Sequence, residues 1–159
     1  NIPTSIKNKE ILPAIRRNRN YLERNHMEWN GNNIRQKPGP WNALGKVKFL
    51  FPNSHSIYLH DTPDQELFAR NERLASAGCV RTEEIQPLAR WLLGAFENPQ
   101  AAAWFEGRLE SGKTSTRMLD TPVPVFISYR LADKTESGDV AFFADSYKKS
   151  GLKLKIVTP

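Results

Sequence analysis

The sequence predicts an α+β domain with a mainly β core and helices inserted or packed outside it. Three observations carry that expectation. Apolar residues recur at helical spacing near the amino end and again across the middle. Short runs that alternate apolar and polar residues lie between and after those stretches. No long linker, repeat or low-complexity tract divides the 159 residues, so the whole span 1–159 is expected to be one domain with a substantial core.

The elements follow in order. Residues 6–25 read as helical, with Ile6, Ile11, Leu12, Ile15 and Leu22 on one stripe, and Pro13 is expected to divide them into two short helices. Asn25–Asn33 is polar around Asn30-Gly31-Asn32-Asn33 and reads as a loop. Ile34–Gln36 is a strand that runs into the turn Lys37-Pro38-Gly39-Pro40. Val47–Phe51 alternates as a half-buried strand does, and Ser56–Leu59 is a second strand close enough to pair with it as a hairpin. A short helix follows Thr62-Pro63-Asp64, and Asn71–Ala77 is a loop. Thr82 is the expected N-cap of a helix whose core face is Ile85, Leu88, Ala89 and Leu92, with Gly94 at its end. Asn98–Leu109 is another helix, striped by Ala102, Phe105 and Leu109. Ser115–Leu119, Val123–Leu131 and Val140–Phe143 read as strands, with a hairpin turn at Ser137-Gly138.

Composition limits the functional classes. With 39% apolar and 25% charged residues the chain is an ordinary globular one. No run of about 18 apolar residues is present to span a membrane. Asn1-Ile2-Pro3-Thr4 carries no apolar signal core, so a mature form or an excised domain is expected. The net charge of +6 favours anionic partners, although most of it reads as a solvated face. Its carriers are scattered (Arg16-Arg17, Lys46, Lys48, Lys148-Lys149, Lys153, Lys155), and neither an RNP pattern nor a CxxC…HxxxH finger appears. Nucleic acid is therefore not an expected partner.

The informative residue is Cys79, the one cysteine, in Ser76-Ala77-Gly78-Cys79-Val80-Arg81. It cannot form an internal disulfide. Read as the residue just before a helix, its thiol would feel the positive helix end, and the free N–H groups there would hold an oxyanion. Gly78 permits a tight turn and close approach of a substrate. The bland alternative is a small buried hydrophobe, and local chemistry weighs the two evenly. His60, nineteen residues upstream in Ile57-Tyr58-Leu59-His60-Asp61-Thr62-Pro63, is the candidate base. A base needs an orienting group, which Asp61 offers through its carboxylate or its backbone carbonyl; the alternative is a surface histidine in a turn. His26 and His55 weigh less, and no paired ligand spacing suggests a metal.

These two segments together resemble the L,D-transpeptidase catalytic (YkuD) domain, most closely its YcbB-like periplasmic branch. The family pattern is a histidine, a spacer, then Ser/Thr-His-Gly-Cys, an apolar residue and Asn or Arg. Gln36-Lys37-Pro38-Gly39-Pro40-Trp41-Asn42-Ala43-Leu44-Gly45 is similar to the family's Pro-Gly-Pro-x-Asn-x-Leu-Gly segment. Ile11-Leu12-Pro13 with Tyr21-Leu22-Glu23 resembles the start of that branch's domain. Val123-Pro124-Val125, Tyr129 and Asp145-Ser146-Tyr147 resemble its last strands. Two departures stand out: Ala77 stands where the common motif has a second histidine, a position that is already not histidine in that branch, and the 25–33 stretch is short where the branch carries a longer insertion that caps the site.

The resemblance implies a YkuD-like β-sandwich or barrel core and a cysteine acyl transfer. Cys79 is then the nucleophile, attacking a peptidoglycan stem tetrapeptide ahead of its terminal D-alanine. His60 shuttles the proton, and the Asp61 carbonyl fixes its tautomer. The Cys79 N–H, with the Gly78 N–H or the Tyr58 hydroxyl, stabilises the oxyanion. Tyr58, Arg81, Ser76, Trp41 and Asn42 are implied substrate contacts; for Arg81 a salt bridge to Glu83 or Glu84 is equally open, and Trp41 has a core role as its alternative. An amine from a neighbouring stem completes a 3→3 cross-link. Water as acceptor would make a carboxypeptidase, and a protein amine a lipoprotein-attaching enzyme. A wall-binding module with a spent site is the reading from outside the enzyme class. Expected besides are covalent carbapenem inhibition, no cofactor, no metal, a monomer, and a periplasmic or cell-envelope location reached with an export signal outside these residues.

Overall fold

The first helix runs through its proline. In a computed structural model, which describes residues 1–76, 78–148 and 151, α-helix at Thr4–Ile6 widens to π geometry over Lys7–Ile11 and returns to α over Leu12–Arg17. The Leu12 N–H reaches back to the Lys7 carbonyl, and the wider turn absorbs the bond that Pro13 cannot donate. The expected division at Pro13 is thus absent. The break comes at Asn18, whose extended backbone (φ −141°, ψ 107°) ends the helix before the short turn Tyr21–Arg24.

The segment expected as a polar loop is half of a hairpin. Strand β1 (Met27–Asn30) pairs antiparallel with β2 (Asn33–Gln36), from Met27↔Gln36 to Asn30↔Asn33. Gly31, at φ 59°, takes the left-handed corner that a two-residue hairpin turn needs. The polar composition conceals the strand because its stability comes from cross-strand pairing. The Arg35 Nε donates to Glu28 at 2.7 Å, and Ile34 beside it is fully buried.

The central sheet holds three short strands in the order β3 (Lys48–Phe49), β4 (Leu59–His60) and β5 (Val80–Arg81). The expected β3–β4 hairpin forms, with Lys48↔His60 and Phe49↔Leu59 in register. A 3-10 helix, Gln65–Ala69, follows β4. Strand β5 runs parallel to β4 and lies between Cys79 and the next helix, so Cys79 does not stand at a helix start. That helix is Ile85–Leu92, and its N-cap is Glu84 in left-handed geometry (φ 50°, ψ 35°) with no side-chain cap. Thr82 is not the cap, because its N–H is taken by the His60 carbonyl at 2.9 Å and sheet pairing wins.

Helix Pro99–Ser111 opens on Asn98, whose side chain accepts from Gln100 N at 3.0 Å and Ala101 N at 3.3 Å. Ile85 and Ala89 from one helix, with Ala101 and Phe105 from the other, are buried core. An Arg90–Glu106 ion pair ties the two helices together.

Residues 1–122 form one compact unit and 123–159 a second. In the second, β6 (Ala132–Lys134) pairs antiparallel with β7 (Val140–Phe142), and Ser137-Gly138 lies in the turn between them. The Tyr129 hydroxyl donates to Asp145 at 2.6 Å, and its ring meets Tyr147 edge-on at 5.3 Å. Neither Ser115–Leu119 nor Val123–Leu131 forms a ladder among the described residues. Alternation in those runs lacked a partner strand, which periodicity cannot supply. The fold is α+β, and its described strands form three small sheets. Ala77, Lys149, Lys153 and Lys155 lie outside the described residues.

Candidate active site

Parallel pairing of β4 with β5 builds the site. Leu59 faces Val80 and His60 faces Arg81, while Val80 N–H bonds the Tyr58 carbonyl at 3.1 Å. Directly paired residues share a face and alternate residues return to it. His60 and Arg81 therefore share one face, Lys48, opposite His60 on β3, joins them, and the same alternation carried one residue beyond β4 and β5 puts Tyr58 and Cys79 on it. Leu59 and Val80 take the other face. The close neighbours agree with this placement: the Tyr58 and His60 rings meet edge-on at 5.8 Å, and the Lys48 ammonium lies 5.4 Å above the Tyr58 ring.

His60 is 5% exposed, and its Nδ1 lies 2.5 Å from the Asp61 carbonyl oxygen. With Nδ1–H donating there, Nε2 carries the lone pair. Burial holds the imidazole pKa below its ordinary 6.5, and the Arg81 charge adds to that, against the opposing pull of the Asp61 carbonyl. The ring is neutral at neutral pH.

The Asp61 carboxylate does not serve His60. Its Oδ2 accepts from Lys46 N–H at 2.9 Å, and Oδ1 accepts from Thr62 N–H at 2.8 Å and Gln65 Nε2 at 3.3 Å. Gly45 packs against it at φ 59°, so closely that a Cβ there would overlap the Asp61 Cβ and carboxyl carbon. These bonds fix the residue whose carbonyl orients the imidazole. The sequence does not announce these supports: Lys46 acts through a backbone donor, Gly45 through a steric gap, and Gln65 through an ordinary side-chain amide. Lys48 is only one of the scattered basic residues in the sequence, and its register with His60 is what brings it to the site.

Cys79 is half-buried. Tyr58 is its polar neighbour: burial first, then the charge of Cys79 and a hydrogen bond with it, raise the phenol pKa above 10.0. Gly78 takes φ 132°, and a Cβ there would meet nothing within 4 Å, so the approach over it is open. Ser76 braces this loop, its Oγ donating to the Cys79 carbonyl at 2.6 Å and accepting from Gly78 N–H at 3.3 Å.

Arg81 makes no ion pair with Glu83 or Glu84; one terminal nitrogen donates to the Ala75 carbonyl at 2.5 Å. Trp41 is 42% exposed, stacks on His26 at 3.8 Å and covers Gly39. Asn42 works as a loop brace. Its amide nitrogen donates to the Lys37 carbonyl at 3.0 Å, its Oδ1 accepts from Leu44 N–H at 2.9 Å, and its own carbonyl accepts from Gly45 N–H at 2.8 Å. Among the described residues no three His, Cys, Asp or Glu side chains converge as metal ligands do, and no helix is long and apolar enough to cross a membrane.

A neutral histidine with a directed Nε2, on one sheet face with a lone thiol, is an arrangement suited to nucleophilic acyl transfer. Comparison with known proteins points the same way. The model of the L,D-transpeptidase catalytic domain, YkuD, matches residues 2–127. A Haemophilus influenzae protein provisionally named as an L,D-transpeptidase is 34% identical over 172 residues, covering 92% of this chain. The chain spans about a third (34%) of that relative's length. The match also runs longer than the 159 residues here, so the relative carries residues in the matched stretch that this chain lacks. By the extent of the family match, the chain belongs to the L,D-transpeptidase catalytic domain (YkuD) family.

Proposed function

We propose that the chain is a peptidoglycan L,D-transpeptidase domain working through an acyl-enzyme on Cys79. The observation that carries this reading is the His60 imidazole, neutral and tied through Nδ1 to the Asp61 carbonyl at 2.5 Å, on the same sheet face as Cys79. His60 Nε2 takes the thiol proton as sulfur attacks the carbonyl ahead of the terminal D-alanine of a stem tetrapeptide. The Cys79 N–H and the Tyr58 hydroxyl donate to the oxyanion, each such donor contributing about 3 kcal/mol in sites of this kind. Gly78 N–H is the weaker candidate because Ser76 Oγ already accepts from it. His60 returns its proton to the leaving amine of D-alanine. A stem amine then attacks the thioester and gives a 3→3 cross-link.

Because β5 separates Cys79 from the helix end, the helix dipole does not help form the thiolate, and His60 is the base that does. The finer features go with the same reading: YcbB-like branch, sandwich core assembled around β3–β5, one catalytic domain, a monomer acting in the periplasm, and carbapenems as covalent inhibitors. Two experiments test it. Incubation with a carbapenem followed by intact-mass analysis should add one inhibitor mass to the wild type and none to Cys79→Ala; an unmodified wild type refutes the acyl-enzyme. Disaccharide-tetrapeptide should then yield cross-linked dimers and free D-alanine. Tripeptide without dimers would assign water as the acceptor.

A further inference from the structure

We infer that Lys48 reads the carboxylate that follows the scissile bond, and so selects stems in which D-alanine is terminal. The inference rests on the proposed function. Lys48 sits opposite His60 in the β3–β4 register, and its ammonium stands 5.4 Å above the Tyr58 ring. Arg81 flanks the same residues from β5. His60 thus lies between two cations on one sheet face, and Cys79 directly precedes the strand that carries one of them. Lys48 is exposed, and among the described residues neither cation has a carboxylate partner: the ion pairs involve Glu28, Glu106, Asp120 and Asp133 with other bases. The nearest acid by sequence, Asp61, is committed to Lys46 N–H, Thr62 N–H and Gln65.

Two cations beside a nucleophile, with no acid paired to them among the described residues, suit an anionic substrate. In the proposed reaction the leaving residue supplies one. A D-alanine carboxylate lies one Cα beyond the scissile amide, and Lys48 overhangs Tyr58, the neighbour of the attacking sulfur. Extending the stem by one residue converts that carboxylate to a neutral amide and moves the charge about 3.5 Å further away. Arg81 is held by the Ala75 carbonyl, and its Nε is buried. Lys48, exposed and on a flexible four-carbon stem, is better able to follow the carboxylate out as D-alanine leaves.

The test compares wild type, Lys48→Met and Lys48→Arg on three synthetic donors: the stem tetrapeptide, the same peptide with its D-alanine carboxyl amidated, and one amidated only on the side chain of its third residue. Lys48→Met should raise KM about tenfold for the first and third donors and leave the second as in wild type. Lys48→Arg should restore most of the loss. Alkylation of Cys79 by iodoacetamide reports whether the thiol and His60 remain in place. Equal losses on all three donors would mean that Lys48 only positions Tyr58 and would overturn the inference. So would loss confined to the first two donors, which would assign the third residue's carboxylate instead. A wild type that turns over none of the donors refutes the proposed function itself, whereas an active wild type matched by Lys48→Met refutes only the role of Lys48.

Discussion

Replacing Gly45 with alanine tests how the site is held. Gly45 has φ 59°, and a Cβ would overlap Asp61 at Cβ, the carboxyl carbon and Oδ2. Left-handed backbone costs a non-glycine residue roughly 1–2 kcal/mol. Relieving the overlap costs about another 1–3 kcal/mol. Asp61 is the side that must yield, and moving it strains its bond from Lys46 N–H, 2.9 Å in the native protein. The expected loss of stability is about 3 kcal/mol, a fall in Tm of roughly 6–12 °C for a chain of this size.

Activity should suffer separately, because displacing Asp61 moves the carbonyl that orients His60. A misplacement of about 1 Å costs on the order of 100-fold in rate. Gly31 provides the control. It has the same φ of 59° but nothing within 4 Å of its Cβ position, so Gly31→Ala bears the backbone cost alone. Thermal melts of both variants and their rates of carbapenem acylation at 20 °C are the assays. Similar Tm losses in both, with acylation intact in Gly45→Ala, would refute the linkage from Gly45 through Asp61 to His60.

Three further outcomes follow from the same geometry. His60 is held below its ordinary 6.5, so the acid limb of the acylation rate should lie below pH 6.5. The unfolded chain takes up that proton first, so stability should fall as pH drops from about 6.5 through the folded value, and His60→Gln should lessen this dependence; an acid limb above 6.5 contradicts it. Tyr58→Phe keeps the ring under Lys48 and removes the hydroxyl that burial keeps protonated, so acylation should slow about 100-fold with Tm unchanged; a drop below threefold would leave the oxyanion to backbone donors. Asn98→Ala removes a cap that accepts two N–H bonds and should cost about 1 kcal/mol in urea melts without altering acylation.

The sequence was most legible where local rules act. The helices around Ile85 and Phe105, the β3–β4 hairpin and the Asn98 helix start all follow from periodicity and capping. It was least legible where pairing between distant segments decides. Thr82 looks like a cap, yet its N–H belongs to His60 through the β4–β5 ladder. Met27–Asn30 looks like a loop until Asn33–Gln36 lies beside it. At the site, Cys79 and His60 could be singled out because their side chains carry chemistry, whereas Tyr58 stands out only through the family resemblance. The supports of Asp61 are mostly backbone groups, which no residue type announces. Asn42 illustrates the middle case: its motif was recognisable, but its bonds to Lys37, Leu44 and Gly45 make it a loop organiser.

The parallel pairing of β4 with β5 has a consequence for the distance between His60 and Cys79 along the chain. Two parallel neighbours cannot be joined by a tight turn, and the connection must travel back the length of the strand, which takes a dozen or more residues. The spacing between base and nucleophile therefore has a floor set by strand geometry. It has no comparable ceiling, because lengthening an exposed loop costs little, about 0.6 kcal/mol per doubling. Residues 71–76 are such a loop. Related domains should thus vary freely in the length of this connection above the floor while keeping the same sulfur-to-imidazole geometry.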